Sequence, residues 1–270
     1  MKQFKRDENQ NSKKLHLDKY YTSDETAQYC IDVARRVLNG KKISEAIEPS
    51  AGNGVFSKKI KNCIAYDIDP EDKSIIRQDF LTLDLPYKEG RLFIGNPPFG
   101  ARNTLAVQFF KKCILSGDYI AFILPISQYK NNQQMYEFDL IYSENLGVKQ
   151  YTDRDVHCCF NIYEKPNGNL NTKPQNKLND LEIIEVRLGN KIVENYDFKV
   201  CAWGASIGKF IDDKNSFAKE FYIRIKNNNI KNKIVELFKN VNWQKEYLMT
   251  STPNLLQWQV VEYLKKNGIK

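Results

Sequence analysis

Two stretches decide the fold: Glu48-Pro49-Ser50-Ala51-Gly52-Asn53-Gly54-Val55-Phe56 and Leu92-Phe93-Ile94-Gly95-Asn96-Pro97-Pro98-Phe99. Each begins at or follows a short apolar run and breaks into residues that turn the chain. In the first, glycines let the backbone bend sharply and approach a ligand closely. In the second, prolines fix the backbone and remove two N–H donors. Further apolar runs at 63–68, 75–80 and 119–124 have the same form, and 57–61 and 104–115 read as helices between some of them. Strands that alternate with helices imply a mostly parallel sheet with crossover helices. Turns at the C-terminal ends of such strands are where open α/β sheets bind ligands.

Upstream, Ala27, Cys30, Ile31, Ala34 and Val37 repeat with helical spacing, Ser23 or Asp24 is placed to cap that helix, and Gly40 to stop it. Downstream, 156–163 reads as another strand. Residues 165–179 are rich in Asn, Pro, Gly and Lys and form the best boundary in the chain. Beyond it the alternation stops. Strands are expected at 181–188, 198–202 and 221–225, and helices at 230–239 and 255–266. The expected organisation is a polar arm (1–16), an α/β domain (17–165) and a small α+β module (166–270).

The chain has 270 residues with 41 Lys+Arg against 33 Asp+Glu, a formal charge of +8. Residues 166–270 hold 17 of the bases and 11 of the acids. A basic C-terminal third fits a polyanion such as DNA or RNA. No apolar run nears the roughly 18 residues of a membrane span, and residues 1–19 lack the apolar core of a secretory signal. A cytoplasmic protein with no membrane partner is expected. None of the six cysteines has C-x-x-C spacing, and His157-Cys158-Cys159 alternates across a strand, so buried reduced thiols and no metal site are expected.

Four features carry chemistry. The Asn96 amide oxygen and the Pro97 carbonyl can accept the two hydrogens of an exocyclic amine, and Phe99 can stack on a flat ring. Asp67, 19 residues after Glu48, ends the second apolar run where a carboxylate binds ribose hydroxyls; Asp69 is the alternative. Asp79 and Phe80, at the end of the next run, suit an adenine amino group and its ring. Gly52-x-Gly54 lacks the third glycine of a dinucleotide site, where Ser57 stands, and Gly204 to Lys209 lacks the spacing of a phosphate-binding P-loop. That stretch reads as a loop with a phosphate contact by Lys209. Asp197-Phe198-Lys199 offers half of a nuclease site without its partner.

In this order, the motifs resemble those of S-adenosylmethionine-dependent amino-methyltransferases. Lys19-Tyr20-Tyr21-Thr22-Ser23 resembles the motif before the Gly-rich turn in DNA adenine-N6 methyltransferases of the gamma arrangement, though Ser23 stands where the family often has Pro. Ile123-Leu124-Pro125, with Ser127 and Lys130, resembles the family's next strand motif. The resemblance spans about 17–165 and implies a Rossmann-like class I methyltransferase domain with S-adenosylmethionine as cofactor. It places Tyr20, Tyr21 and Thr22 along the methionine end. It gives further cofactor contacts to Glu48, Pro49, Ser50, Gly52, Asn53 and Gly54, then to Asp67, Ile68, Asp79, Phe80 and Asn96. The catalytic turn is Asn96, Pro97, Pro98 and Phe99. The partner implied is double-stranded DNA, bound through the C-terminal module with Lys130 and Lys209 on nucleic acid, and a separate restriction enzyme is a possible companion. RNA or protein-glutamine methylation and a non-catalytic DNA-binding module are the alternatives.

Overall fold

The computed structural model describes residues 21–150, 155–189, 193–249 and 252–270. The arm at 1–16 and Tyr20 lie outside the described residues. The chain divides between Lys173 and Pro174 into two compact units. Among the described residues no helix is long and apolar enough to cross a membrane.

The first unit opens with α1 (Asp24–Val37), whose start is capped where Ser23 Oγ accepts from the Thr26 N–H at 3.2 Å. Then come β1 (Glu45–Glu48), β2 (Ile64–Asp67), β3 (Ile76–Arg77), β4 (Arg91–Gly95), α2 (Thr104–Cys113), β5 (Tyr119–Pro125), β6 (Asp139–Gln150) and β7 (Asp155–Glu164). They form a seven-stranded sheet in the order β3-β2-β1-β4-β5-β7-β6. The pairs from β3 to β5 are parallel, while β7 runs antiparallel to both β5 and β6. This is a doubly wound, Rossmann-like α/β sheet.

Both faces of the sheet are covered, which is why β4 and β5 are continuous apolar runs. On one face Leu92 and Ile94 of β4 and Ala121 and Ile123 of β5 pack against Ala27, Ile31 and Ala34 of α1. On the other, Phe93, Ile120 and Phe122 pack against Ala106, Phe109 and Phe110 of α2. Cys158 joins the first cluster and its neighbour Cys159 the second, as alternation along a strand requires. All six cysteines are unbonded thiols.

Three elements differ from the sequence reading. Residues 57–61 give one 3-10 turn, Ser57–Lys59, because the backbone is already extended at Ile60 (φ −110°, ψ 116°). The run at 75–80 forms only the two-residue β3. The long edge strand β6 has no continuous apolar run and was not anticipated.

The second unit holds β8 (Leu181–Arg187), β9 (Phe198–Cys201), β10 (Phe210–Ile211) and β11 (Lys219–Ile225), with α3 (Lys231–Asn240), α4 (Trp243–Glu246) and α5 (Gln257–Lys266). Its strands form an antiparallel sheet in the order β10-β9-β11-β8. Val200, Phe221 and Ile223 pack with Ile234, Phe238, Trp243 and Val260. Lys209 is exposed in a loop with Gly204 and Gly208 at φ 80°. Asp197 and Lys199 are both structurally engaged: Asp197 accepts from Lys231 at 2.6 Å, and Lys199 is buried beside Glu220 at 3.7 Å.

Candidate active site

Sheet order reverses between β1 and β4. β1 is flanked by β2 on its other side and β4 by β5, so the loops leaving β1 and β4 flank one crevice at the C-terminal edge.

The loop after β1 is built by left-handed glycines and by carboxylates that hold its N–H groups. Gly52 and Gly54 have φ 55° and 78°. The Gly52 N–H donates to Asp67 Oδ2 at 2.7 Å, and the Ser57 N–H to Glu48 Oε2 at 2.8 Å. The Ala51 N–H donates to the Tyr66 carbonyl at 2.9 Å, which ties the loop to β2. Glu48 is only 2% exposed. Burial above all, with a smaller push from nearby Asp67, raises its carboxyl to about 7 against the bonds from Ser57 and Phe56, which lower it.

The loop after β4 is joined to this one. Ser50 Oγ donates to the Asn96 carbonyl at 3.3 Å, and Asn96 Nδ2 donates to Thr22 Oγ1 at 3.1 Å. Thr22 is 8% exposed, and its hydroxyl sets which way the Asn96 amide faces. One residue earlier, Tyr21 lies against Gly52: a Cβ there would sit 3.6 Å from the ring. The Tyr21 hydroxyl donates to Glu71 Oε1. Burial and that carboxylate push the phenol up to about 12, so it stays protonated at neutral pH. The extended segment before α1 therefore touches both turns.

Other candidates are distributed unevenly. Asp67 is buried, and its two oxygens accept from the Gly52 and Asp69 N–H groups, so it organises the loop whatever else it binds. Asp69 is exposed and pairs with Arg77 at 3.3 Å. Ile68 is 47% exposed, an apolar side chain beside Asp67. Pro49 is buried, and Ser50 and Asn53 are half-buried in the glycine loop. Asp79 is half-buried and accepts from the Leu81 N–H at 2.9 Å.

Phe80 corrects the sequence reading. The strand stops at Arg77, and Phe80 follows in a turn, 2% exposed. Its ring stacks on Phe109 at 5.7 Å and meets Phe93 edge-on, so it is a core side chain. Phe99 is also packed inward, 5% exposed in the cluster with α1; stacking on a ligand requires it to leave that packing. Pro97 is buried and Pro98 half-buried. Lys130 is exposed at the loop after β5. His157 Nε2 lies 2.7 Å from Asn145 Oδ1, an oxygen that also accepts from the Gly147 N–H, so Nε2 carries the proton. Among the described residues no group of three His, Cys, Asp or Glu is placed to hold a metal.

No protein-family model matches the sequence, and no curated protein sequence matches it. Solved structures do. A Pyrococcus horikoshii protein provisionally described as an RNA methyltransferase superposes with TM-score 0.44 at 15% identity, over 55% of this chain and 87% of that one. A Thermoplasma acidophilum protein gives 0.41 at 17% identity, over 57% and 96%. The 23S rRNA methyltransferase ErmE gives 0.40 at 14% identity, over 57% and 72%. Likenesses of this size carry neither activity nor substrate to this chain.

Two contributors have weak sequence signals. Glu71 reaches Tyr21 across fifty residues, and no local pattern marks it. Asn161 is fully buried on β7 and was visible as a polar residue inside an apolar strand. Its Nδ2 donates to the Gln128 carbonyl at 2.7 Å and to the Tyr163 hydroxyl at 2.9 Å, which moors the loop after β5.

Proposed function

We propose that the chain is an S-adenosylmethionine-dependent methyltransferase acting on the N6 amino group of adenine in DNA. One observation carries the reading. The Gly-rich turn, the Asn-Pro-Pro-Phe turn and the Tyr-Thr segment meet through the Thr22–Asn96 and Ser50–Asn96 bonds and the Tyr21–Gly52 contact. A cofactor cradle and an amine-accepting turn thus share one crevice.

The residues fit that cofactor. The glycine at 52 leaves open the space under Tyr21 that a side chain would enter. Exposed Ile68 offers an apolar face for an adenine beside the carboxylates at the end of β2. Asp79 keeps an oxygen beyond the one that accepts from Leu81. Bound there, the cofactor supplies an electrophilic sulfonium methyl group.

The protein's part is placement. The adenine amino lone pair is delocalised into the ring. Asn96 Oδ1 and the Pro97 carbonyl would accept its two N–H groups and favour a more tetrahedral nitrogen with an available lone pair. Thr22 holds the amide in that sense by taking its N–H. No strong base is required, because the methylated nitrogen is acidic and releases its proton readily. In duplex DNA the base must first leave the stack. The basic second unit, with exposed Lys209, suits phosphate contacts.

The test is transfer of labelled methyl from S-adenosylmethionine to duplex DNA, RNA and a protein extract side by side. Label at adenine N6 in DNA supports the reading. Label in RNA or protein alone overturns the substrate, and no cofactor binding overturns the enzyme.

A further inference from the structure

We infer that Arg102 and Lys130 are paired contacts to the backbone phosphates flanking the target nucleotide, on a lip moored by Asn103, Ser127 and Asn161. This rests on the nucleic-acid methylation reading above and adds the residues that grip the strand.

The argument starts from backbone conformation. Among the described residues, six that are not glycine have positive φ. Three are asparagines, which tolerate the left-handed region. Arg102 (φ 54°) and Lys130 (φ 50°), with Leu248, are the others. A left-handed arginine or lysine incurs strain that glycine would not, and strain held by rigid surroundings clusters where function needs it. Both residues lie on the loops that leave β4 and β5, parallel neighbours whose C-terminal ends share one edge of the sheet. Arg102 comes three residues after Phe99.

The two loops are fastened together and from below. Asn103 Nδ2 donates to Ser127 Oγ at 2.9 Å, linking the first loop to the second. The Lys130 N–H donates to Ser143 Oγ at 2.9 Å, and Ser143 donates to Asn161 Oδ1 at 2.7 Å. Asn161 also holds the Gln128 carbonyl. A fully buried amide therefore fixes the backbone that carries Lys130.

Charge completes the case. Arg102 and Lys130 are exposed, and neither has a carboxylate partner among the described residues. Elsewhere in the unit Lys41, Lys58, Lys59, Lys88 and Arg91 are paired with acids. Exposed Arg36, Lys61 and Lys73 have no carboxylate partner among the described residues either, so it is the place of Arg102 and Lys130 on moored loops beside the catalytic turn that sets them apart. The Lys130 ammonium lies 4.9 Å from the Tyr129 ring centroid, which positions it. A planar guanidinium takes phosphate in two parallel bonds, and an ammonium takes it as a point charge. An extruded base leaves a phosphate on each side, and two unpaired cations on neighbouring loops beside the catalytic turn match that pair.

The experiment measures binding of a labelled adenine-containing DNA duplex by the full chain across potassium chloride concentrations. The variants are Arg102→Gly, Lys130→Gly, the double variant and Lys61→Ala as a control for an exposed lysine elsewhere. Glycine suits both backbones, so the melting temperature should hold or rise and loop collapse is excluded. The slope of log K against log salt should fall by about one for each single variant and about two for the double, with the control unchanged. Cofactor affinity by calorimetry should not move. Methyl transfer is scored on the same samples. Reduced slopes without transfer would sink the methylation reading, and the target nucleotide with it, while keeping Arg102 and Lys130 as phosphate contacts. Transfer with unchanged slopes would overturn the grip. The RNA of the same sequence serves as a second arm, and a wild-type chain that binds neither strand overturns the grip as well.

Discussion

The loops that leave β1 and β4 flank the same crevice and are made in opposite ways. The first is a glycine loop rich in N–H donors, and buried carboxylates collect those donors: Asp67 takes Gly52 and Glu48 takes Ser57. The second is a proline loop with two donors removed, so its carbonyls and the Asn96 amide set its character. One loop is tied down by charge and the other by covalent stiffness. The difference matches what each would meet, a cationic sulfonium with a polar tail against a neutral amine that needs acceptors.

The largest effect should come from the proline loop. Asn96→Ala is expected to lower kcat by at least about 10²-fold, the usual cost of deleting one polar group aimed at a transition state, while cofactor affinity stays near wild type. Wild-type turnover would remove Asn96 from catalysis and with it the contrast between the loops.

The glycine loop should show itself as pH dependence. The Glu48 carboxyl is raised from an ordinary 4.5 to about 7. A raised acid means the folded state holds the proton more tightly than the unfolded chain. Stability from this group is therefore greatest below about pH 4.5, falls between there and about pH 7, and is flat above. Glu48→Gln keeps an acceptor for Ser57 and removes the buried charge. It should be more stable than wild type at pH 8, by up to roughly 3 kcal/mol, with the gain dwindling towards pH 4.5 and vanishing below it. Thermal melts at the two pH values check this, and a gain independent of pH would mean that Glu48 ionises in the fold as readily as in the unfolded chain.

The smallest effect belongs to the bridge between the loops. Thr22→Val keeps shape and removes the hydroxyl that orients the Asn96 amide. A net loss near 1 kcal/mol, typical of one hydrogen bond, predicts roughly a tenfold or smaller fall in kcat with little change in KM. A change confined to KM for the cofactor would instead assign Thr22 to cofactor binding.

Much of the fold was legible because parallel strands covered on both faces become unbroken apolar runs, as in Leu92-Phe93-Ile94 and 119–124. Edge strand β6 escaped because its side chains are mostly half-exposed and mixed in polarity, with Asn145 and Gly147 at an irregularity in its register. The Gly-rich and Pro-rich turns were legible from composition alone. What the sequence withheld is which ring faces where. Phe80 reads like a ligand platform, yet β3 ends three residues before it and the chain folds the ring onto Phe109. The Tyr21–Glu71 and Asn103–Ser127 pairs are tertiary coincidences that no local pattern encodes.

Tyr21, Thr22 and Ser23 are consecutive, and each has a different appointment: the Gly52 backbone, the Asn96 amide and the first turn of α1. In extended chain, neighbouring side chains point to opposite sides. Inserting a single residue between Thr22 and Ser23 would leave the Ser23 cap in place while carrying Tyr21 and Thr22 out of register with Gly52 and Asn96. The stretch is thus a site of indel intolerance, where a change in chain length is costlier than most changes of residue, and its spacing to Asp24 is as much a part of the site as the side chains themselves.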